Sequence, residues 1–275
     1  SPLRVAINYE RLDAMRLLLD AKAATDIPGT YYAGTLLSRV LDICMTSQDD
    51  NILRLLLDAN PSLALNRESS SYIGSLYKNN CFSALQLLLE KHASVNGVTV
   101  DGGLTLLHRA VLDQRTQLAK FMIDAKANLE ARGPQLNDTP LIAACRRRYP
   151  DMIKVLLEAK ANLDVRDRSG YTPLGYALDW LREDSIVKML VDTKARIDYS
   201  LLRAAVETRD SKVLKILVHA KADLRVRNGY GDTLLMAAIR KRSTTIIDIL
   251  LKADSSGFDE CDSSGQTAPM CAIRE

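Results

Sequence analysis

The sequence predicts an all-α solenoid, a stack of short antiparallel helix pairs joined by projecting turns. Three observations predict it. An apolar triplet followed by an acidic–alanine–lysine run returns along the whole chain, and a threonine-led helix start precedes most of its returns. The 275 residues are also 47% hydrophobic but only 5% aromatic. A core so poor in aromatic rings is built from Leu, Ile, Val and Ala, whose small side chains let short helices stack closely.

The second helix of each pair carries the strongest signal. Leu17-Leu18-Leu19-Asp20-Ala21-Lys22-Ala23 is repeated as Phe121-Met122-Ile123-Asp124-Ala125-Lys126-Ala127 and Val155-Leu156-Leu157-Glu158-Ala159-Lys160-Ala161. It returns as Met189-Leu190-Val191-Asp192-Thr193-Lys194-Ala195 and Ile216-Leu217-Val218-His219-Ala220-Lys221-Ala222, with weaker copies starting at Leu55, Leu87 and Ile249. Leu87, Phe121, Val155 and Met189 follow one another at ~34 residues, a period of helical repeat arrays. Within one copy, the second helix is expected over Met152 to Glu158, with Ile153, Leu156 and Leu157 at helical spacing on its buried side.

The first helix begins at Thr139-Pro140-Leu141, Thr172-Pro173-Leu174, Thr105-Leu106-Leu107-His108 and Thr233-Leu234-Leu235, with Ser1-Pro2-Leu3, Thr35-Leu36-Leu37 and Thr267-Ala268-Pro269 as degenerate forms. Threonine caps a helix by accepting a backbone N–H, and proline at the first helical position sacrifices no needed donor. Leu141, Ala143 and Ala144 then make a short first helix. Turn-rich segments such as residues 164–170 read as fingers between repeats.

Thr105-Leu106-Leu107-His108-Arg109-Ala110 resembles the ankyrin signature T-P-L-H-x-A, while the tetratricopeptide pattern of Trp, Leu, Gly and Tyr is absent. The resemblance spans essentially the whole chain. It implies an ankyrin-repeat solenoid of paired antiparallel helices with projecting β-turn fingers, in about nine repeats. These fall roughly at 1–34, 35–70, 71–104, 105–138, 139–171, 172–199, 200–232, 233–266 and a partial 267–275, forming one domain. Because the chain opens at a first helix and stops before a second, it is expected to be a fragment of a longer array or protein.

Several positions depart from the family pattern. Ankyrin repeats place Gly after the second helix, where the chain turns left-handed; here stand Lys22, Asn60, His92, Lys126, Lys160, Lys194 and Lys221. A side chain there costs about 1–2 kcal/mol against Gly, least for Asn60. The lysines meet the negative end of a helix dipole. They read either as a ladder for acidic partners or as a repeated habit balanced by Asp20, Asp124, Glu158 and Asp192. The second repeat has about four extra residues within 42–50, expected as a longer acidic loop between its helices. The seventh has almost no finger at residues 197–200, so its neighbours are expected to flank a notch. The first finger, residues 27–34, carries Tyr31 and Tyr32, which read either as anchors for a partner or as rings buried against the next finger.

Composition excludes several functions. A net charge of +3 is far from that of a dedicated nucleic-acid binder, and no stretch is apolar for the length of a membrane span. Cys44, Cys81, Cys145, Cys261 and Cys271 form no C-x-x-C pair. They read as small buried side chains of a protein in the cytoplasm or another reducing intracellular compartment. His92, His108 and His219 have no metal-ligand spacing, and His108 reads as the family's structural hydrogen-bonder. Walker, dinucleotide and nucleophile-elbow motifs are absent. No catalytic residue, cofactor or metal is expected.

The candidate surface is cationic. The first hundred residues are about neutral, whereas later repeats place Arg132, Arg166, Arg168, Arg225 and Arg227 in fingers. Arg146-Arg147-Arg148 and Arg240-Lys241-Arg242 stand at equivalent first-helix ends, with Arg115, Arg182 and Arg209 nearby. Repeats stacked in register align these into a stripe. Tyr149, Tyr171, Trp180 and Tyr230 lie in the same zone as contact anchors. The competing reading is an ordinary solvated surface balanced by Asp138, Asp167, Glu183 and Asp232.

The expected function is a protein–protein interaction scaffold, a monomeric array within a larger complex, holding an acidic or mixed-charge protein on its concave face. One alternative is an anion-binding module for RNA or phosphoinositide through the Arg stripe. Another is a regulatory repeat region of an enzyme or channel encoded elsewhere.

Overall fold

Threonine opens the first helices as the sequence predicts. Thr35, Thr105, Thr139, Thr172 and Thr233 each accept a hydrogen bond from the backbone N–H three residues on, at 3.0–3.4 Å. Ser1 and Asp198 do the same for their helices, and each such cap contributes about 1 kcal/mol. The computed structural model describes residues 1–25, 35–65, 67–96, 99–100, 103–180 and 184–274. Tyr31 and Tyr32 lie outside these described residues. The chain divides into two compact units, Ser1–Pro134 and Gln135–Glu275.

The first unit holds α1 (Pro2–Asn8), α2 (Leu12–Asp20), α3 (Leu36–Ser47), α4 (Asn51–Ala59), a 3₁₀ turn (Pro61–Leu65), α5 (Arg67–Lys78), α6 (Phe82–Glu90), α7 (Leu106–Leu112) and α8 (Thr116–Asp124). First helices pack in one layer, α1 on α3 and α3 on α5, and second helices in another, α2 on α4 and α6 on α8. Two-residue strands β1 (Thr99–Val100) and β2 (Leu104–Thr105) pair antiparallel in the finger ahead of α7. Helix α5 runs across the expected 70/71 repeat boundary.

The second unit repeats the plan more regularly. Helices α9 (Pro140–Arg147), α11 (Pro173–Trp180), α13 (Tyr199–Glu207), α15 (Leu234–Arg240) and α17 (Ala268–Arg274) pack in succession. Behind them stack α10 (Pro150–Glu158), α12 (Asp184–Asp192), α14 (Ser211–His219) and α16 (Thr244–Ala253). The core lies between the layers, where Leu141, Ile153, Leu156, Leu190, Leu202 and Leu214 are fully buried. Leu157 is only half-buried, because Met152 and Val155 complete the inward face of α10. Seventeen α-helices are present among the described residues, and none is long and apolar enough to cross a membrane.

The turn after the second helix is left-handed without glycine. Lys22, His92, Lys126, Lys160, Lys194 and Lys221 have φ of 56–69°. The alanine that follows each of them, such as Ala127 or Ala161, donates its N–H to the carbonyl five residues back, Met122 or Leu156 in these two, at 2.9–3.2 Å across the six turns. That closes the helix end in a Schellman turn and accounts for the recurring Lys-Ala. Asn60 is the exception: its φ is −146°, not left-handed. Pro61 follows it and drives it to extended backbone, where its side chain donates to Thr25 and accepts from Ser62.

Two further expectations change. The extra residues of the second repeat lengthen a helix rather than a loop, for α3 has 12 residues where α7 has 7. Cys44, Cys81, Cys145 and Cys271 are buried, but Cys261 is exposed on a finger. Burial lifts the Cys44 thiol, helped by Asp50, Cys81 and Asp49, to about 12, and lifts that of Cys145 as well. His108 is buried against the Thr105 hydroxyl at 2.8 Å, the structural role its motif predicts.

Candidate functional site

The seventh repeat, which lies in the second unit, lacks a finger. From Ala161 to the helix cap at Thr172 the chain takes eleven steps, and from Ala222 to Thr233 again eleven. From Ala195 to the cap at Asp198 it takes three. The fingers on either side therefore stand apart, and the exposed side of α13 forms a floor between them. One open cavity of about 330 Å³ lies toward the earlier finger, lined by Arg166, Ser169, Gly170, Tyr171, Asp198 and Leu201 among others. A second, of about 550 Å³, lies toward the later finger and is lined by Tyr199, Arg203, Glu207, Arg227, Asn228 and Gly229. Both touch Ser200 and Ala204, so they meet across small side chains. This is the notch that the short seventh finger predicts.

The notch carries mixed charge held in place. Arg166 donates to Asp198 at 2.7 Å and to the Gly170 carbonyl at 2.7 Å. Arg203 pairs with Glu207 one helical turn on, also at 2.7 Å. Arg227 bonds the Glu260 carboxylate at 2.9 Å and the Cys261 carbonyl at 2.8 Å. Burial raises the Tyr199 hydroxyl, against a smaller opposite pull from Arg203. Beneath the earlier wall, Tyr171 stacks at 5.0 Å on Tyr176, whose hydroxyl donates to the buried Asp167.

The structure divides the predicted cationic stripe into two rows. Arg166, Arg168, Arg225 and Arg227 lie in fingers, at the N-terminal ends of first helices. Arg146, Arg147, Arg148, Arg209, Arg240, Lys241 and Arg242 lie at the opposite ends, in or next to the turns between paired helices. Seven to nine helical residues separate the rows, roughly 10–14 Å along the axis. Much of the charge is matched inside the unit: Arg146 pairs with Asp138 at 2.8 Å, Arg240 with Asp232 at 2.8 Å, and Arg225 with Asp254 at 3.0 Å. Arg209 donates to the Lys241 carbonyl. Arg147, Arg148, Arg168, Lys241 and Arg242 are exposed.

The tyrosines divide too. Tyr230 is 76% exposed at a finger tip, whereas Tyr149 and Tyr171 are half-buried. Trp180 ends α11, and Arg182 and Glu183 lie outside the described residues. Arg115 and Arg132 belong to the first unit, where the Arg115 guanidinium sits 4.8 Å over the Phe82 ring. The notch also recruits Asp198, Tyr199, Arg203, Glu207 and Asn228, which the sequence reading did not select. The shortened finger was the signal that pointed to them.

A family model of ankyrin repeats matches residues 75–167, 129–200 and 201–275. The chain belongs to the ankyrin-repeat family. Among solved structures, the ankyrin repeat domain of Bcl-3, described as a unique member of the IkappaB protein family, is 20% identical with a TM-score of 0.64, covering 73% of this chain and 92% of its own. An ankyrin repeat domain from Acinetobacter baumannii AYE is 20% identical with a TM-score of 0.58, covering 66% and 97%. At that identity these likenesses carry the fold alone. No curated protein matches the chain. Ankyrin repeats generally mediate protein–protein interaction.

Proposed function

We propose that this chain is a protein-binding scaffold whose contact region is the notch of the second unit and the fingers beside it. The observation that carries this is the absence of one finger between two full-length ones, above a floor of small residues. Packing of the unit gives no reason for a gap that leaves Ser200, Arg203 and Glu207 exposed along α13. Its walls offer both signs of charge, Arg166, Arg203 and Arg227 against Asp198 and Glu207, which suits a mixed-charge protein segment. Tyr230 at the neighbouring tip is a large exposed anchor. The pairing of Arg146, Arg166, Arg225, Arg227 and Arg240 with carboxylates favours this reading over an anion stripe, since charges already neutralised release few counterions from RNA.

Cross-linking mass spectrometry on the protein from its native source, with and without nuclease, tests the reading. Cross-links from residues 166–230 to a protein, unchanged by nuclease, are the expected result. Contacts that vanish with nuclease would replace the protein partner with a nucleic acid.

A further inference from the structure

The full fingers of the second unit share one internal design. Asp167, Asn228 and Asp262 each open a four-residue turn that closes on Gly170, Gly231 and Gly265, with φ of 83°, 79° and 75°. In each turn the side-chain oxygen of the first residue accepts two backbone N–H groups. Asp167 takes those of Ser169 and Tyr171, Asn228 those of Tyr230 and Asp232, and Asp262 those of Ser264 and Gln266, all at 2.8–3.0 Å.

Adjacent fingers are then joined main chain to main chain. The second residue of one turn, Ser263, donates its N–H to the carbonyl of the third residue of the turn before, Tyr230, at 3.0 Å. Arg168 does the same to Leu136 at 2.8 Å. Ahead of the turn, Arg227 reaches forward to Glu260 and the Cys261 carbonyl of the next finger.

Where the seventh finger is missing, these joints have no counterpart. By the same register the Ser169 carbonyl on one wall is an acceptor, and the Gly229 N–H on the other is a donor. No described residue bonds either. A Cβ built on Gly170 meets nothing within 4 Å, whereas one on Gly231 meets the Ser263 nitrogen of the next finger at 3.0 Å. Arg166, the positional equivalent of Arg227, holds the Gly170 carbonyl of its own finger and, across the repeat, Asp198, the helix cap that stands where the next finger would end.

We propose that the notch is completed in trans by a β-turn loop of a partner protein, a borrowed finger of the form acidic–Xaa–(Asp/Asn)–Xaa–Xaa–Gly. The Ser169 carbonyl accepts the N–H of the loop's second turn residue, and the Gly229 N–H donates to the carbonyl of its third. Arg166 exchanges Asp198 for the acidic residue of the loop, the pairing that Arg227 makes with Glu260. The left-handed glycine lets the loop lie close to its neighbour, as Gly231 does. This rests on the protein-binding reading and names the occupant of that surface.

The test uses the whole chain and a cyclised peptide carrying the sequence of residues 259–267, with serine replacing Cys261, because a pre-closed turn avoids the ordering cost of a linear one. Titration followed by NMR should give saturable shifts centred on Ser169, Gly170 and Gly229. Arg166→Gln should weaken binding about ten-fold, the scale of one charge-assisted hydrogen bond. Inserting a copy of residues 164–171 between Ile197 and Asp198 should fill the notch in cis, raise the unfolding temperature and abolish peptide binding.

No saturable binding, or binding that survives the inserted finger in a chain with unchanged circular dichroism, overturns the proposal. Should that insertion unfold the chain, Arg166→Gln alone decides, and unaltered affinity overturns it. A native protein partner still captured by the finger-filled chain leaves the scaffold reading standing and removes only the borrowed finger. Failure to capture any protein partner removes the scaffold reading, whatever the peptide does.

Discussion

The fingers at 166–172 and 227–233 are built alike and sit in different company. Both close on a left-handed glycine under an Asx turn, and both carry an arginine just ahead of it. The later finger has a neighbour at hydrogen-bonding distance on its far side; the earlier one faces the notch. The same local sequence logic therefore serves packing in one place and leaves the equivalent backbone groups open in the other. In a quasi-one-dimensional array, deleting one projecting loop changes the role of its neighbours without changing their conformation.

The largest test of that difference is at the two glycines. Gly231→Ala combines a left-handed penalty with a Cβ driven against the Ser263 backbone, and should cost roughly 2–4 kcal/mol in urea unfolding. Gly170→Ala meets open space and should cost only the left-handed part, about 1–2 kcal/mol. Equal losses would mean that the two sites are equivalent.

A smaller effect comes from Asp232. The Arg240 guanidinium, opposed by burial and aided by the Asn228 amide, holds its carboxyl below the ordinary value of 3.8. A depressed carboxyl contributes stability that is fully present above its unfolded pKa and lost as pH falls through the folded one. Stability should therefore fall on acidification below 3.8, and Asp232→Asn should flatten that limb of the profile.

Smaller still, Lys160→Gly should raise stability by about 0.5–1 kcal/mol, since relief of the left-handed strain is partly offset by a freer unfolded chain. Asn60→Gly, at an extended residue, should lower it. Least of all, Arg227→Gln should cost under about 1 kcal/mol, as part-exposed ion pairs do. Arg166→Gln should match it within error, so that any larger loss in partner affinity reports on binding alone.

The period, the threonine caps and the recurring lysines were legible because each depends on residues a few positions apart. Thr139 with Ile142, or Lys126 with Met122 and Ala127, are local arrangements that any copy of the motif repeats. The missing finger was legible for the same reason, as a deletion counted between two motifs. What stayed hidden lies across repeats. Arg166 finds Asp198, and Arg227 finds Glu260, only after stacking brings residues of neighbouring repeats together, so a count of finger arginines overstated the unmatched charge. Helix α3 was misjudged because polar residues at 46–50 suit a loop, yet Thr46 and Ser47 return their hydroxyls to the carbonyls of Asp42 and Ile43 and extend the helix. A second row of left-handed residues was missed altogether. Glu10, Gln48, Asn80, Gln114, Arg148, Arg209 and Arg242, with φ of 52–62°, turn the chain between paired helices and share no residue type that would mark them.

The gap at residues 197–198 also has a mechanical consequence. Elsewhere in the second unit, fingers hydrogen-bonded to one another run alongside the stacked helices, and both resist bending. At the seventh repeat the two helix layers, α11, α13 and α15 with α12, α14 and α16 behind them, carry the load from one side to the other without a finger. A rod thinned on one face is most compliant there and closes toward the thinned side. The unit therefore has a flexure point set by a deletion rather than by a hinge sequence, and an occupant seated between the fingers would stiffen it like a shim.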